Sequence, residues 1–190
     1  MLFRAYDNHL EQLTAVAERV CRVLREAGIE YRVVGGRAVL FHVESRDPLA
    51  ARLTKDVDLG VDRADLPRIV EAVGSLALEY RHVAGVDMLV DTKAPKARSA
   101  VHLLFVREKV RPNDLEPVPG FSEPSVSDAG ILLVAPAELV RMKLISFRQR
   151  DKTHIIDMDS VGLITPEIEA GLSEALRDRL DKVRAEERAG

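Results

Sequence analysis

Two aspartates, Asp56 and Asp58, stand one residue apart in the run T-K-D-V-D-L-G-V, with Val57 and Leu59 interleaved. In an extended chain, successive side chains point to opposite faces, so residues at i and i+2 share one. The two carboxylates then project together, and Val57 and Leu59 turn toward a core. Like charges held side by side repel each other unless a cation lies between them, so the pattern asks for a divalent metal such as magnesium or manganese. Upstream, Val33 and Val34 read as a short buried strand that runs into a Gly35-Gly36 turn and then a short apolar helix with Ala38, Val39 and Phe41. Two residues without side chains let backbone N–H groups come close to a phosphate at the start of that helix.

The elements that must position these residues are visible as changes of period. From Asn8 to Glu26, Leu10, Leu13, Val16, Val20 and Leu24 recur at helical spacing, and Gly28 is placed to end the helix. After Val61, Asp62 or Arg63 can precede a helix whose buried stripe is Leu66, Ile69, Val70 and Val73. Three further strands are expected at 80–83, 86–90 and 101–106, and the alternation of strand and helix predicts an α/β sheet. Residues 107–130 are rich in proline and charge and read as a surface connection with at most one short strand. A short extended lead at 131–134 precedes Pro136 in the first turn of a helix carrying Leu139, Val140, Met142, Leu144 and Ile145. That helix is expected to run on into a basic cluster, with Lys143 and Arg150 two turns apart on a similar face. A final helix carrying Ile168, Leu172, Leu176 and Leu180 is expected behind a Thr165-Pro166 cap.

The order strand, Gly-Gly, helix and then D-V-D on the next strand resembles the nucleotidyltransferase superfamily, which includes DNA polymerase beta, the minimal nucleotidyltransferases and the abortive-infection toxins. The flanking phrases V-V-G-G-x-A and R-L-T-K-D-V-D-L look most like the bacterial abortive-infection branch. The likeness covers roughly residues 30–62 well and the rest loosely. It implies an α/β fold with a mixed sheet flanked by helices and a C-terminal helical part, divided here at 1–134 and 135–190. It also implies metal-dependent transfer of a nucleotidyl group from a nucleoside triphosphate to an acceptor hydroxyl. On that resemblance Gly35 and Gly36 hold the triphosphate, and Asp56 and Asp58 bind magnesium. Lys143, Arg148, Arg150, Asp151 and Asp157 match a stretch that supports the phosphates. The connection between Gly36 and Asp56 is longer than the family's usual spacing.

Family members place a third carboxylate on a neighbouring strand as general base or extra metal ligand. The corresponding strand here reads S-A-V-H-L-L-F and offers His102 instead. Two residues could take the role: Asp87, if the adjacent strand's register lets it reach the site, or His102, since an imidazole near neutral pKa can accept a hydroxyl proton. The departure motivates a competing reading, a non-catalytic nucleotide-binding or toxin-antitoxin module that keeps the fold. His154 and Asp157 share a helical face but lack a third ligand at any zinc-site spacing.

Composition bounds the rest. With 190 residues, 46% of them hydrophobic, the chain suits one domain with a helical appendage. A net charge of -3 gives no general attraction to nucleic acid or anionic membrane. The single Cys21 sits in a helical pattern as a small core residue and excludes a disulfide framework within the chain. No run of about 18 apolar residues occurs, so no membrane partner is expected and a cytoplasmic location is. The acceptor, whether an RNA end, a protein or a small molecule, is left open, and the toxin resemblance implies a cognate antitoxin as partner.

Overall fold

Seven strands form one mixed sheet in the order β3-β4-β5-β2-β1-β7-β6. The computed structural model describes residues 2–52, 54, 56–93 and 100–189. The strands are β1 (Tyr31–Val34), β2 (Val57–Val61), β3 (Leu78–Val83), β4 (Val86–Asp91), β5 (Val101–Phe105), β6 (Ser125–Val126) and β7 (Leu132–Leu133). The helices are α1 (Leu2–Glu26), α2 (Gly35–Glu44), α3 (Leu66–Gly74), α4 (Pro136–Ser146), α5 (Gln149–Ser160), α6 (Pro166–Ala170) and α7 (Glu174–Ala189). The expected α/β class with a mixed sheet, flanking helices and a helical C-terminal part is what the chain adopts.

At the sheet's centre β2 lies antiparallel to β1 and parallel to β5. One face is apolar because the alternating residues Tyr31, Val33, Val57, Leu59, Val101 and Leu103 are all buried there. Burying each such side chain contributes about 1.5–3 kcal/mol, which fixes the register, since a slip of one residue would turn the whole set outward. Val20, Leu24, Ile69 and Val73, from α1 and α3, belong to the same core. So do Leu139, Leu144, Ile155, Met158 and Leu176 of the C-terminal helices, so that part shares one continuous core with the sheet. Cys21 is part of it, and burial pushes its thiol up to about 11, which makes it inert packing.

Three boundaries differ from the sequence reading, and each matters locally. The Gly-Gly pair is not a turn before α2 but its first residues. The expected single basic helix is two helices, because Phe147 takes a left-handed conformation (φ 51°) at the end of α4 and its N–H closes on Lys143 O at 2.9 Å. Lys143 and Arg150 are therefore brought together across a helix junction and not along one face. The final helix is likewise two, broken at Gly171, with Thr165 Oγ1 capping α6 by accepting from Ile168 N.

Candidate functional site

The site is built where β1 ends opposite the start of β2. Val34 pairs with Asp58, and Asp58 pairs in turn with His102 on β5. Residues directly opposite on adjacent strands share a face, so the Asp58 carboxylate and the His102 imidazole meet on the side of the sheet away from the Leu59 core. His102 Nδ1 donates to Asp58 Oδ1 at 3.2 Å. This hydrogen bond is the main reason the imidazole's pKa is raised; burial opposes it, and the charges of Asp58 and Asp56 add to it. Asp56 stands just before β2, within electrostatic reach of the same imidazole.

Gly35 explains itself by contact. Its φ is +68°, and a Cβ built on it would fall 1.9 Å from Asp58 Oδ2. Only a residue with no side chain lets the α2 N-terminus lie this close to the carboxylate. A Cβ on Gly36 would meet Thr54 Oγ1 at 2.7 Å, so the second glycine lets the long α2–β2 connection lie against the helix start.

Cations surround the pair from α4 and α5. Arg150 Nη1 donates to Asp56 Oδ2 at 2.9 Å. Lys143 Nζ donates to Asp151 Oδ1 at 3.2 Å, with both residues buried. Asp151 Oδ2 also accepts from Arg148 N and so caps the start of α5. Gly35, Asp58, His102, Lys143, Arg148 and Asp151 all line one cleft of about 600 Å³. The structure thus brings Gly35, Gly36, Asp56, Asp58, His102, Lys143, Arg148 and Arg150 to one region.

Asp87 also lines this cleft, but it issues from the opposite face of the sheet. It pairs with Leu103, whereas Met88 is the β4 residue opposite His102. Its side chain therefore leaves the sheet on the other face from Asp58 and does not reach it across the strand, as the sequence reading allowed. There it accepts from Tyr80 Oη at 2.6 Å and from His82 Nδ1 at 2.8 Å. Burial alone would raise its pKa, but these hydrogen bonds, with Arg63 nearby, bring it below the usual carboxylate value.

Arg52 is not singled out by its type in the sequence, and His154 is weighed there only as a metal ligand. Arg52 Nε donates to the buried Asp157 Oδ1 at 3.0 Å and ties the α2–β2 connection to α5. His154, on the same helix, has a buried Nδ1 without a hydrogen-bond partner. Its pKa falls to about 4 because it is desolvated and because Lys143 lies near.

The donor set suits a hard divalent cation. Asp56 and Asp58, the latter lining the cleft, supply oxygen ligands, and the missing Cβ of Gly35 lets the helix start lie against Asp58 Oδ2. Among the described residues no group of three or more His, Cys, Asp and Glu is arranged to hold a metal. A magnesium ion held by Asp56 and Asp58 would complete its shell with water and phosphate oxygens, as that ion commonly does.

The mixed sheet and its flanking helices have the fold of nucleotidyltransferase-like proteins. Among solved structures the chain is similar to an antigenic nucleotidyltransferase-like protein from Paracoccidioides brasiliensis, with a TM-score of 0.58 and 20% identity over 93% of this chain and 88% of that one. It is also similar to the Megavirus polyadenylate synthase, with a TM-score of 0.52 and 15% identity over 82% of this chain and 31% of that one. No family model and no curated protein matches the sequence. Among the described residues no helix is long and apolar enough to cross a membrane.

Proposed function

We propose that the protein is a metal-dependent nucleotidyltransferase, moving a nucleotidyl group from a nucleoside triphosphate to an acceptor hydroxyl. The observation that carries this reading is the contact of Gly35 with Asp58: a glycine-started helix laid against one of two adjacent carboxylates, on the open face of the sheet. Magnesium or manganese at Asp56 and Asp58 would neutralise charge on the triphosphate. The N-terminus of α2 at Gly35 and Gly36 orients the phosphates through backbone N–H groups. Arg148 and Arg150, with Lys143 behind them, steady the phosphate tail. His102 is the group beside Asp58 able to take the acceptor proton, provided it gives up its own proton to solvent first, because its bond to Asp58 favours the charged form.

The likeness of the two phrases around Gly35 and Asp56 to the abortive-infection branch supports reading the protein as a member of it, with an antitoxin as its partner. The acceptor is an RNA end, a protein side chain or a small molecule. One observation favours a second reading, a nucleotide-binding module without transfer: the position facing Asp58 from β5 is a hydrogen-bonded histidine and the β4 position beside it is Met88. Incubation with labelled nucleoside triphosphates, magnesium or manganese, and pooled RNA and protein separates the two. Transfer by wild type that is lost in Asp58→Asn and sharply reduced in His102→Ala supports the enzyme. Magnesium-dependent triphosphate binding with no labelling by any of the four nucleotides supports the module.

A further inference from the structure

Arg150 and Asp56 raise a question that the proposed function leaves open. A phosphate-binding arginine and a metal-binding carboxylate are here bound to each other at 2.9 Å. Both side chains are substantially exposed, 71% and 41%, so the pair is held weakly and can exchange partners. Lys143 differs: it is locked in a buried pair with Asp151, where separation would leave a charge unpaired in low dielectric.

We infer, on the basis of that reading, that Arg150 is a built-in counter-cation of the metal site. It holds Asp56 until a divalent ion arrives, then transfers to the phosphates that come with the ion. A guanidinium and a dication on the same carboxylate repel each other, so each bound ion releases one arginine. Metal and triphosphate affinity are thereby coupled through a single side chain.

The scaffold keeps the exchange local. Arg150 and Asp157 lie seven residues apart on α5, two turns along one face. Asp157 binds Arg52 of the connection that carries Asp56, so the second ion pair, of reversed polarity, still ties that connection to α5 when Arg150 lets go. Asp56 itself adjoins β2, whose Val57 pairs with Val101, so it remains in place for the metal.

The test is a titration of free Mn2+ by electron paramagnetic resonance on the full chain at low ionic strength, with ATP as the triphosphate probe. Without nucleotide, Arg150→Gln should bind Mn2+ about 5-fold more tightly than wild type, and the gain should fade in ~0.5 M salt. With ATP present, the same variant should bind nucleotide about 5-fold more weakly. In EDTA, Asp56→Asn should bind ATP more tightly than wild type, and the gain should vanish in Asp56→Asn/Arg150→Gln. Equal or weaker Mn2+ binding by Arg150→Gln, while Asp56→Asn/Asp58→Asn loses it, would overturn the counter-cation and leave the metal site standing. Mn2+ binding that is indifferent to both aspartates would overturn both.

Discussion

Two aspartate–histidine pairs sit on the same group of strands and face opposite ways. Asp58 and His102 meet at 3.2 Å on the open face, and Asp87 and His82 meet at 2.8 Å on the other. The difference lies in what completes each carboxylate. Asp87 has the Tyr80 hydroxyl as a further donor, which ties the β3–β4 hairpin together. Asp58 has a glycine at its other oxygen and a second carboxylate two residues away. The same two residue types make a structural tie where a tyrosine hydroxyl is the further partner, and a candidate ligand site where a glycine and a second carboxylate are.

The sharpest way to break this comparison is to neutralise each aspartate in turn. Asp58→Asn removes a hard oxygen donor and should lower magnesium-dependent triphosphate affinity by at least ~10-fold in calorimetry. Asp87→Asn should leave that affinity within about 2-fold and cost about 0.5–1.5 kcal/mol of stability in urea unfolding, because a part-buried and an exposed hydrogen bond are weakened. Equal effects of the two on binding would mean that the face assignment is wrong.

Gly35→Ala is the next largest effect expected. The methyl would collide with Asp58 Oδ2, and the positive φ disfavours any side chain by roughly 1–2 kcal/mol. The variant should lose triphosphate binding and stability together, whereas Gly85→Ala, which also has positive φ but open space around it, should lose stability alone. Unchanged binding in Gly35→Ala would show that the close approach serves packing only.

The sequence disclosed the open-face site far better than its surroundings, for physical reasons. Asp56, Asp58 and the glycine pair are readable because strand alternation and glycine's freedom are local rules acting over a few residues. The sheet's core strands were equally legible from their apolar runs. What was hidden depends on register and on long-range pairing. Whether Asp87 shares a face with His102 turns on a single residue of β4–β5 register, which alternation in β4 alone does not fix. The break at Phe147 comes from a left-handed residue that is not glycine, a conformation no local pattern announces. Arg52 and Asp157 are 105 residues apart, and nothing in either neighbourhood names the other.

A smaller effect sharpens the structural side of the comparison. Tyr80→Phe keeps the ring and removes only the hydroxyl that Asp87 accepts from. The expected loss is about 0.5–1.5 kcal/mol of stability with triphosphate affinity unchanged, measured by urea unfolding and calorimetry. A drop in affinity would link the hairpin to the open face.

A third histidine calibrates both pairs, because it has no carboxylate bonded to it. His154 lies near Lys143, Arg150, Arg52 and Asp151, and burial, with Lys143's charge next, takes its pKa down to about 4 from an ordinary 6.5. As pH falls below 6.5, the unfolded chain takes up this proton while the folded chain resists until about pH 4. Stability from this group is therefore level above pH 6.5 and declines as pH falls toward 4. His42, buried with Nε2 donating to Val134 O, has a lowered pKa for the same first reason and acts with the same sign. His102 has the opposite sign, since a raised pKa stabilises the fold below 6.5 and that contribution is lost as pH rises through its folded value. His154→Gln should flatten the fall in Tm between pH 6.5 and 4.5 by a few degrees, taking 1 kcal/mol as roughly 2–4 °C for a chain of this size, and leave His42 and the carboxylates held below their usual values, Asp87 and Glu116, to drive what remains, against His102. Circular dichroism melts across that range decide the matter. An undiminished slope would mean that His154 finds a partner in solution, and that the cluster of Lys143 and Asp151 around it is wetter than the folded geometry implies.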